Sequence, residues 1–118
     1  MKKILYVDDA RSLRKLVDQV LKNDYDVTFA ENGQEGMHAI EQQKFDVILS
    51  DINMPIMNGL EFLEKLRQHP NSKYTPTLML TTEASQQMKD EGRRLGATGW
   101  IVKPFDPAKL ISAIERVS

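Results

Sequence analysis

The stretch "FDVILSDINMPIMNG", residues 45–59, opens on an apolar run, Val47-Ile48-Leu49, then meets a carboxylate at Asp51, with Pro55 and an Asn58-Gly59 pair just beyond. An unbroken aliphatic run, rather than an alternating one, marks a strand buried on both faces of a parallel sheet. Ending such a strand on a charge needs a reason. The same kind of run recurs along the chain: "KILYV" (3–7), "DVTFA" (26–30), "DVILS" (46–50), "PTLMLTT" (76–82) and "GWIVK" (99–103).

Helical patterns fill the gaps. Leu13, Leu16, Val17, Val20 and Leu21 recur as one apolar helical stripe. Met37 and Ile40 mark a second helix, and Leu60, Leu63 and Leu66 a third that Asn58 is placed to cap. A fourth, from Ser85 to about Leu95, has Met88 and Leu95 as its sparse apolar anchors. Asp106-Pro107 supplies an N-cap and a first-turn proline for a fifth, carrying Leu110, Ile111, Ile114 and Val117. Strand and helix alternating five times, with right-handed crossovers, predict a doubly wound (βα)₅ α/β fold with helices on both faces of a parallel sheet.

Composition narrows the function. A chain of 118 residues makes one domain, 1–118, with one core. Its 16 basic and 17 acidic residues leave a net charge of −1, which provides no footprint for nucleic acid or an anionic membrane surface. With no Cys there is no disulfide framework, thiolate zinc site or thiol nucleophile. The N-terminal apolar run is too short for a signal peptide and no run approaches a membrane span, so a soluble cytoplasmic domain is expected; a monomer is expected as well.

In a doubly wound sheet, ligands bind beyond the carboxyl ends of the strands. The first run ends in Asp8-Asp9, the third in Asp51, the fourth in Thr81-Thr82-Glu83 and the fifth in Lys103-Pro104. The second ends in a plain turn, Ala30-Glu31-Asn32-Gly33. Three carboxylates, hydroxyls and one ammonium therefore converge on one edge. Two like charges about 4 Å apart repel by roughly 4 kcal/mol at an effective dielectric near 20. One lysine does not neutralise three acids, whereas an all-oxygen site with room for water suits Mg²⁺. The two histidines, His38 and His69, fall on helices and do not suggest zinc or copper. An ionised aspartate is already a nucleophile, and a cation beside a lysine stabilises charge on phosphoryl oxygens. Asp51, central in the cluster, is the natural acceptor.

The set Asp8-Asp9, "SDINMP" with Asp51, Thr81 and "KPF" with Lys103 resembles the receiver domains of bacterial response regulators over the whole chain, most of all the single-domain chemotaxis type. The resemblance implies a flavodoxin-like sheet of order 2-1-3-4-5 and an Asp51 that takes a phosphoryl group from a histidine kinase. It implies Asp9 and Asp51 as direct Mg²⁺ ligands, Asp8 acting mainly through water, and Asn53 lending its backbone carbonyl. Thr81 and Lys103 would contact the phosphoryl group, and the Lys103-Pro104 bond is expected in cis. Glu83 and Asn53 stand where receivers set the lifetime of the phosphoryl group. The implied partners are the kinase, a phosphatase and an output protein such as the flagellar motor switch.

A switch follows from the same chemistry. Phosphorylation adds charge and acceptor oxygens at Asp51. Drawing Thr81 toward them leaves space for an aromatic on the neighbouring strand, and Trp100 stands there, on the face opposite Ile101 and Lys103. Resembling proteins carry Tyr or Phe at this position, which turns inward on activation and changes the surface of helix 4, strand 5 and helix 5. The weakly apolar helix 4 suits an element that shifts.

Other classes fit less well. A flavin mononucleotide module needs a Ser/Thr/Gly-rich phosphate loop after strand 1, where "VDDARS" presents two acids. An aspartyl-phosphate phosphatase of the haloacid dehalogenase type needs an acid two residues after the nucleophile, where Asn53 stands. A DNA-binding regulator needs an output domain that 118 residues do not accommodate. A relay intermediate or phosphate sink would carry the same site, and a degenerate receiver would bind a partner without accepting phosphate.

Overall fold

The five apolar runs pair side by side as a parallel sheet in a computed structural model that describes residues 1–82 and 85–118. The strands are β1 (Lys2–Val7), β2 (Tyr25–Ala30), β3 (Val47–Asp51), β4 (Thr77–Thr81) and β5 (Gly99–Val102), in the order β2-β1-β3-β4-β5. The helices between and after them are α1 (Arg11–Leu21), α2 (Gly33–Gln42), α3 (Gly59–Leu66), α4 (Gln86–Leu95) and α5 (Pro107–Val117). This is the doubly wound (βα)₅ fold expected from the sequence pattern, in the strand order that the resemblance implies. Asp51 is itself the last residue of β3, which runs one position beyond the end of the apolar run at Ser50, and Lys103 lies just past β5.

Strand alternation splits the core into two layers. Ile4 and Tyr6 of β1, with Leu49, Leu80 and Ile101, pack under α1 and α5 through Val17, Leu21, Leu110 and Ile114. Leu5 and Val7, with Ile48 and Met79, pack under α2 and α3 through Ile40, Phe62, Leu63 and Leu66. Each fully buried aliphatic of this kind contributes about 1.5–3 kcal/mol over its exposed state. Both faces of β3 and β4 are covered, which is why their sequences run apolar without a break.

The helix ends follow their sequence signals. Asn58 and Glu61 form a reciprocal capping box on α3, and the Asp106 side chain accepts from Lys109 N–H ahead of Pro107 on α5. The Lys103-Pro104 peptide is cis. Two readings are corrected. Leu16 is exposed, at the flank of a stripe whose centre is Val17 and Leu21. His69 lies beyond α3 in a turn, half-buried, where Nδ1 accepts the Asn71 N–H. Among the described residues no helix is long and apolar enough to cross a membrane.

Candidate functional site

Register brings the acids together. Val7 pairs with Ser50, so the residues that follow them, Asp8 and Asp51, emerge side by side at the carboxyl end of the sheet. Leu80 lies between Asp51 and Ile101 in the ladder, and beyond it Lys103 N–H donates to the Thr81 carbonyl at 2.8 Å. α3 starts hard against this edge. Gly59 N–H donates to Ile52 O at 2.8 Å, and a Cβ on Gly59 would lie 2.8 Å from Ile52 Cα, so only glycine lets the helix abut the end of β3.

Asp8 is fully buried, Asp51 nearly so, and Asp9 exposed. One carboxylate oxygen from each lies within 4.8 Å of the others. Lys103 Nζ bridges two of them, 3.2 Å from Asp51 Oδ1 and 3.3 Å from Asp8 Oδ2. Asp8 Oδ1 accepts from Ala10 N–H at 2.9 Å, and Asp8 Oδ2 also accepts from the Tyr6 hydroxyl at 2.8 Å. Ile52 N–H donates to Asp51 Oδ1 at 2.9 Å, so among the described residues the donors to Asp51 address that oxygen and leave Oδ2 open. Neither acid caps α1, whose N-cap, Ala10, makes no side-chain bond.

Burial pushes the Asp51 carboxyl above its ordinary value. Lys103 pulls it back, and Asp8 adds to the push. A group of acids whose own lysine does not relieve them calls for a further positive charge. Three carboxylates on an open edge, with no nitrogen or sulfur donor among them, match a hard, oxygen-preferring divalent cation. The donor set therefore fits Mg²⁺.

The remaining residues named from the sequence are near but differently placed. Thr81 ends β4, buried, with Oγ1 3.8 Å from Met88 Sδ of α4. Asn53 is exposed in the loop two residues past Asp51. Glu83 lies outside the described residues. Trp100 packs on the α2–α3 layer with Met88 and Leu95, on the opposite side of the sheet from Ile101. Its indole rests on Gly92, the one fully helical position of α4 that is buried.

Three residues escaped the sequence reading. Tyr6 looked like one more strand hydrophobe, and its reach to Asp8 depends on side-chain geometry that no pattern carries. Gly92 drew no notice in a helix known only by its sparse anchors Met88 and Leu95, yet it seats the indole of Trp100. Arg67, at the C-terminus of α3, donates to the carbonyls of Ser72, Thr75 and Gly96 and to Thr77 Oγ1, tying the base of α4 to α3 and β4.

Comparison with known proteins agrees with this geometry. The response regulator receiver domain family matches residues 4–115. The chain belongs to that family. As a receiver domain it is a signalling phosphoacceptor rather than an independent catalyst. It is similar to the chemotaxis protein CheY4 of Vibrio cholerae, whose structure superposes with a TM-score of 0.97 at 46% identity over 100% of this chain and 99% of that one. A receiver domain of a Pseudomonas aeruginosa sensor histidine kinase, with a magnesium ion coordinated in its active site cleft, matches with a TM-score of 0.90 at 26% identity, covering 98% and 96%. The probable transcriptional regulator ycf29 of Porphyra purpurea is 35% identical over 115 residues, 97% of this chain, which spans 55% of that regulator's length.

Proposed function

We propose that this receiver is a single-domain, Mg²⁺-dependent phosphoacceptor switch of chemotaxis signalling, phosphorylated on Asp51 by a histidine kinase and read by an output protein such as the flagellar motor switch. The observation that carries the reading is Lys103 Nζ lying between Asp8 and Asp51, 3.3 and 3.2 Å away, at the only strand edge where three carboxylates meet among the described residues. The chemotaxis assignment is supported by the close likeness to CheY4 over nearly the whole of both chains.

Asp8, Asp9 and Asp51, with the Asn53 carbonyl, would hold the cation, which supplies positive charge beside the phosphoryl oxygens. Asp51 Oδ2, the oxygen without a described donor, attacks phosphorus in line. The bond from phosphorus to the donor's imidazole nitrogen breaks as the aspartyl phosphate forms, and the electron pair leaves with the imidazole. Lys103 already touches Asp51 and has only to swing toward the new phosphoryl oxygens to pair with them. Thr81 turns its hydroxyl away from Met88 to the same oxygens, loosening the contact of β4 with α4. Trp100 answers from the neighbouring strand. The surface it borders carries a cleft of about 700 Å³ lined by Trp100, Val102, Phe105, Lys109 and Arg116, a fitting face for an output partner.

The test is an intact-mass spectrum after incubation with Mg²⁺ and acetyl phosphate, beside an Asp51→Asn control. One added phosphoryl group that requires Mg²⁺ and disappears in the control is the expected result. No adduct, together with no Trp100 fluorescence response to Mg²⁺ and beryllofluoride, would reduce the chain to a binding module.

A further inference from the structure

Tyr6 is the unexpected member of the acidic cluster. It sits on β1 in the layer under α1 and α5, fully buried, and its ring meets Phe29 edge to face at 5.9 Å. The rest of that layer is aliphatic or aromatic, so the phenol gains nothing there from its oxygen. The hydroxyl instead reaches along the strand to Asp8, which is also fully buried. A phenol hydroxyl has one proton to donate, and here Asp8 Oδ2 takes it.

The accounting of Asp8's lone pairs gives this bond a purpose. A carboxylate offers about four lone-pair positions. Oδ2 takes two donors, Tyr6 Oη at 2.8 Å and Lys103 Nζ at 3.3 Å, while Oδ1 takes one, the Ala10 N–H. Oδ1 is therefore the Asp8 oxygen with capacity left for a cation or its water. If Lys103 turns to a phosphoryl group on Asp51, Oδ2 loses its ion pair on a carboxylate that is itself fully buried. Tyr6 then remains as its donor.

We infer that Tyr6 is a positioning residue of the phosphorylation site: its buried hydroxyl fixes the Asp8 carboxylate for the cation and keeps it satisfied when Lys103 moves to the phosphoryl group. The inference rests on the reading of Asp8 as part of the Mg²⁺ site. Partners that orient a metal-binding carboxylate in this way are commonly worth 10–100-fold in metal affinity.

The experiment is calorimetric titration of Mg²⁺ into the parent, Tyr6→Phe, Asp8→Asn and the double variant, with Ile4→Val as a control from the same strand and core layer. Tyr6→Phe keeps the ring and removes only the hydroxyl. It is expected to raise the Mg²⁺ Kd about tenfold. In the Asp8→Asn background the same change is expected to move Kd by less than twofold, because Tyr6 acts through Asp8. Ile4→Val, a packing change, is expected to lower Tm and leave Kd alone. A Tyr6→Phe Kd within twofold of a parent that binds Mg²⁺ overturns the inference and leaves the phosphoacceptor reading standing. A parent that binds no Mg²⁺ overturns both. An equal loss in both backgrounds makes the effect structural and also overturns it. If Tyr6→Phe does not fold, a Tyr25→Phe/Tyr74→Phe protein retains Tyr6 as its single tyrosine. Its tyrosine ultraviolet band is expected to shift on Mg²⁺ addition, and an unmoved band overturns the inference.

Discussion

Replacing Gly92 by alanine sets two forces against each other. Alanine in a helix interior is worth about 1 kcal/mol over glycine. The new methyl, however, would overlap Trp100 Cζ2 and lie 3.0 Å from Cη2 and 3.3 Å from Cε2. Those atoms belong to a rigid ring, so relief requires the indole to swing out or α4 to lift, and overpacking of this sort costs about 1–3 kcal/mol. The balance is a net loss of about 1 kcal/mol in Gly92→Ala. Trp100→Phe removes the outer ring atoms that clash, so in that background Gly92→Ala should recover its helical gain of about 1 kcal/mol. The coupling across the double-mutant cycle is then about 2 kcal/mol. Urea unfolding followed by far-ultraviolet circular dichroism measures all four proteins, with equal slopes required for the comparison. Gly92→Ala adding about 1 kcal/mol of stability in both backgrounds, with Trp100 emission unchanged where the tryptophan is kept, would refute the claim that this pair joins α4 to β5.

Three further outcomes are expected. Asp51 is raised in the fold chiefly by burial, with Lys103 opposing and Asp8 assisting. Its contribution to stability is thus present at low pH and lost as pH rises through the folded value. In chelator-treated buffer Asp51→Asn should raise the urea midpoint at pH 7, and the gain should vanish below about pH 4, where the carboxyl is protonated in both states. Mg²⁺ at a hundredfold excess over its Kd should stabilise the fold by about 2.7 kcal/mol, read as a rise in Tm, and Asp9→Asn should abolish the rise. Arg67→Met should cost about 3 kcal/mol in urea unfolding, because it strips the donor from three carbonyls and the Thr77 hydroxyl at a half-buried position.

The fold could be read from the sequence because β3 and β4 are buried on both faces and so display their apolar character without interruption, while Asp8-Asp9 directly follow β1 and Lys103 directly follows β5 as abrupt changes of chemistry. Asp8, Asp9, Asp51 and Lys103 could be grouped for the same reason: parallel strands in register bring their ends to one edge. What the pattern could not carry was lateral reach. The Tyr6 hydroxyl, the Arg67 guanidinium and the Gly92 surface are defined by what lies across from them rather than by their neighbours in the chain. Phe62, fully buried in α3, was passed over beside the more regular leucines, and Leu16 was included by spacing although it faces solvent.

The most direct test of the account is to identify the residue that carries the phosphoryl group. After reaction with acetyl phosphate and Mg²⁺, borohydride reduces an aspartyl phosphate to homoserine, and peptide mapping by mass spectrometry locates it. The account predicts homoserine at position 51 alone, absent without Mg²⁺. Homoserine at position 8 or 9, or a phosphoryl group held by another residue, would contradict it.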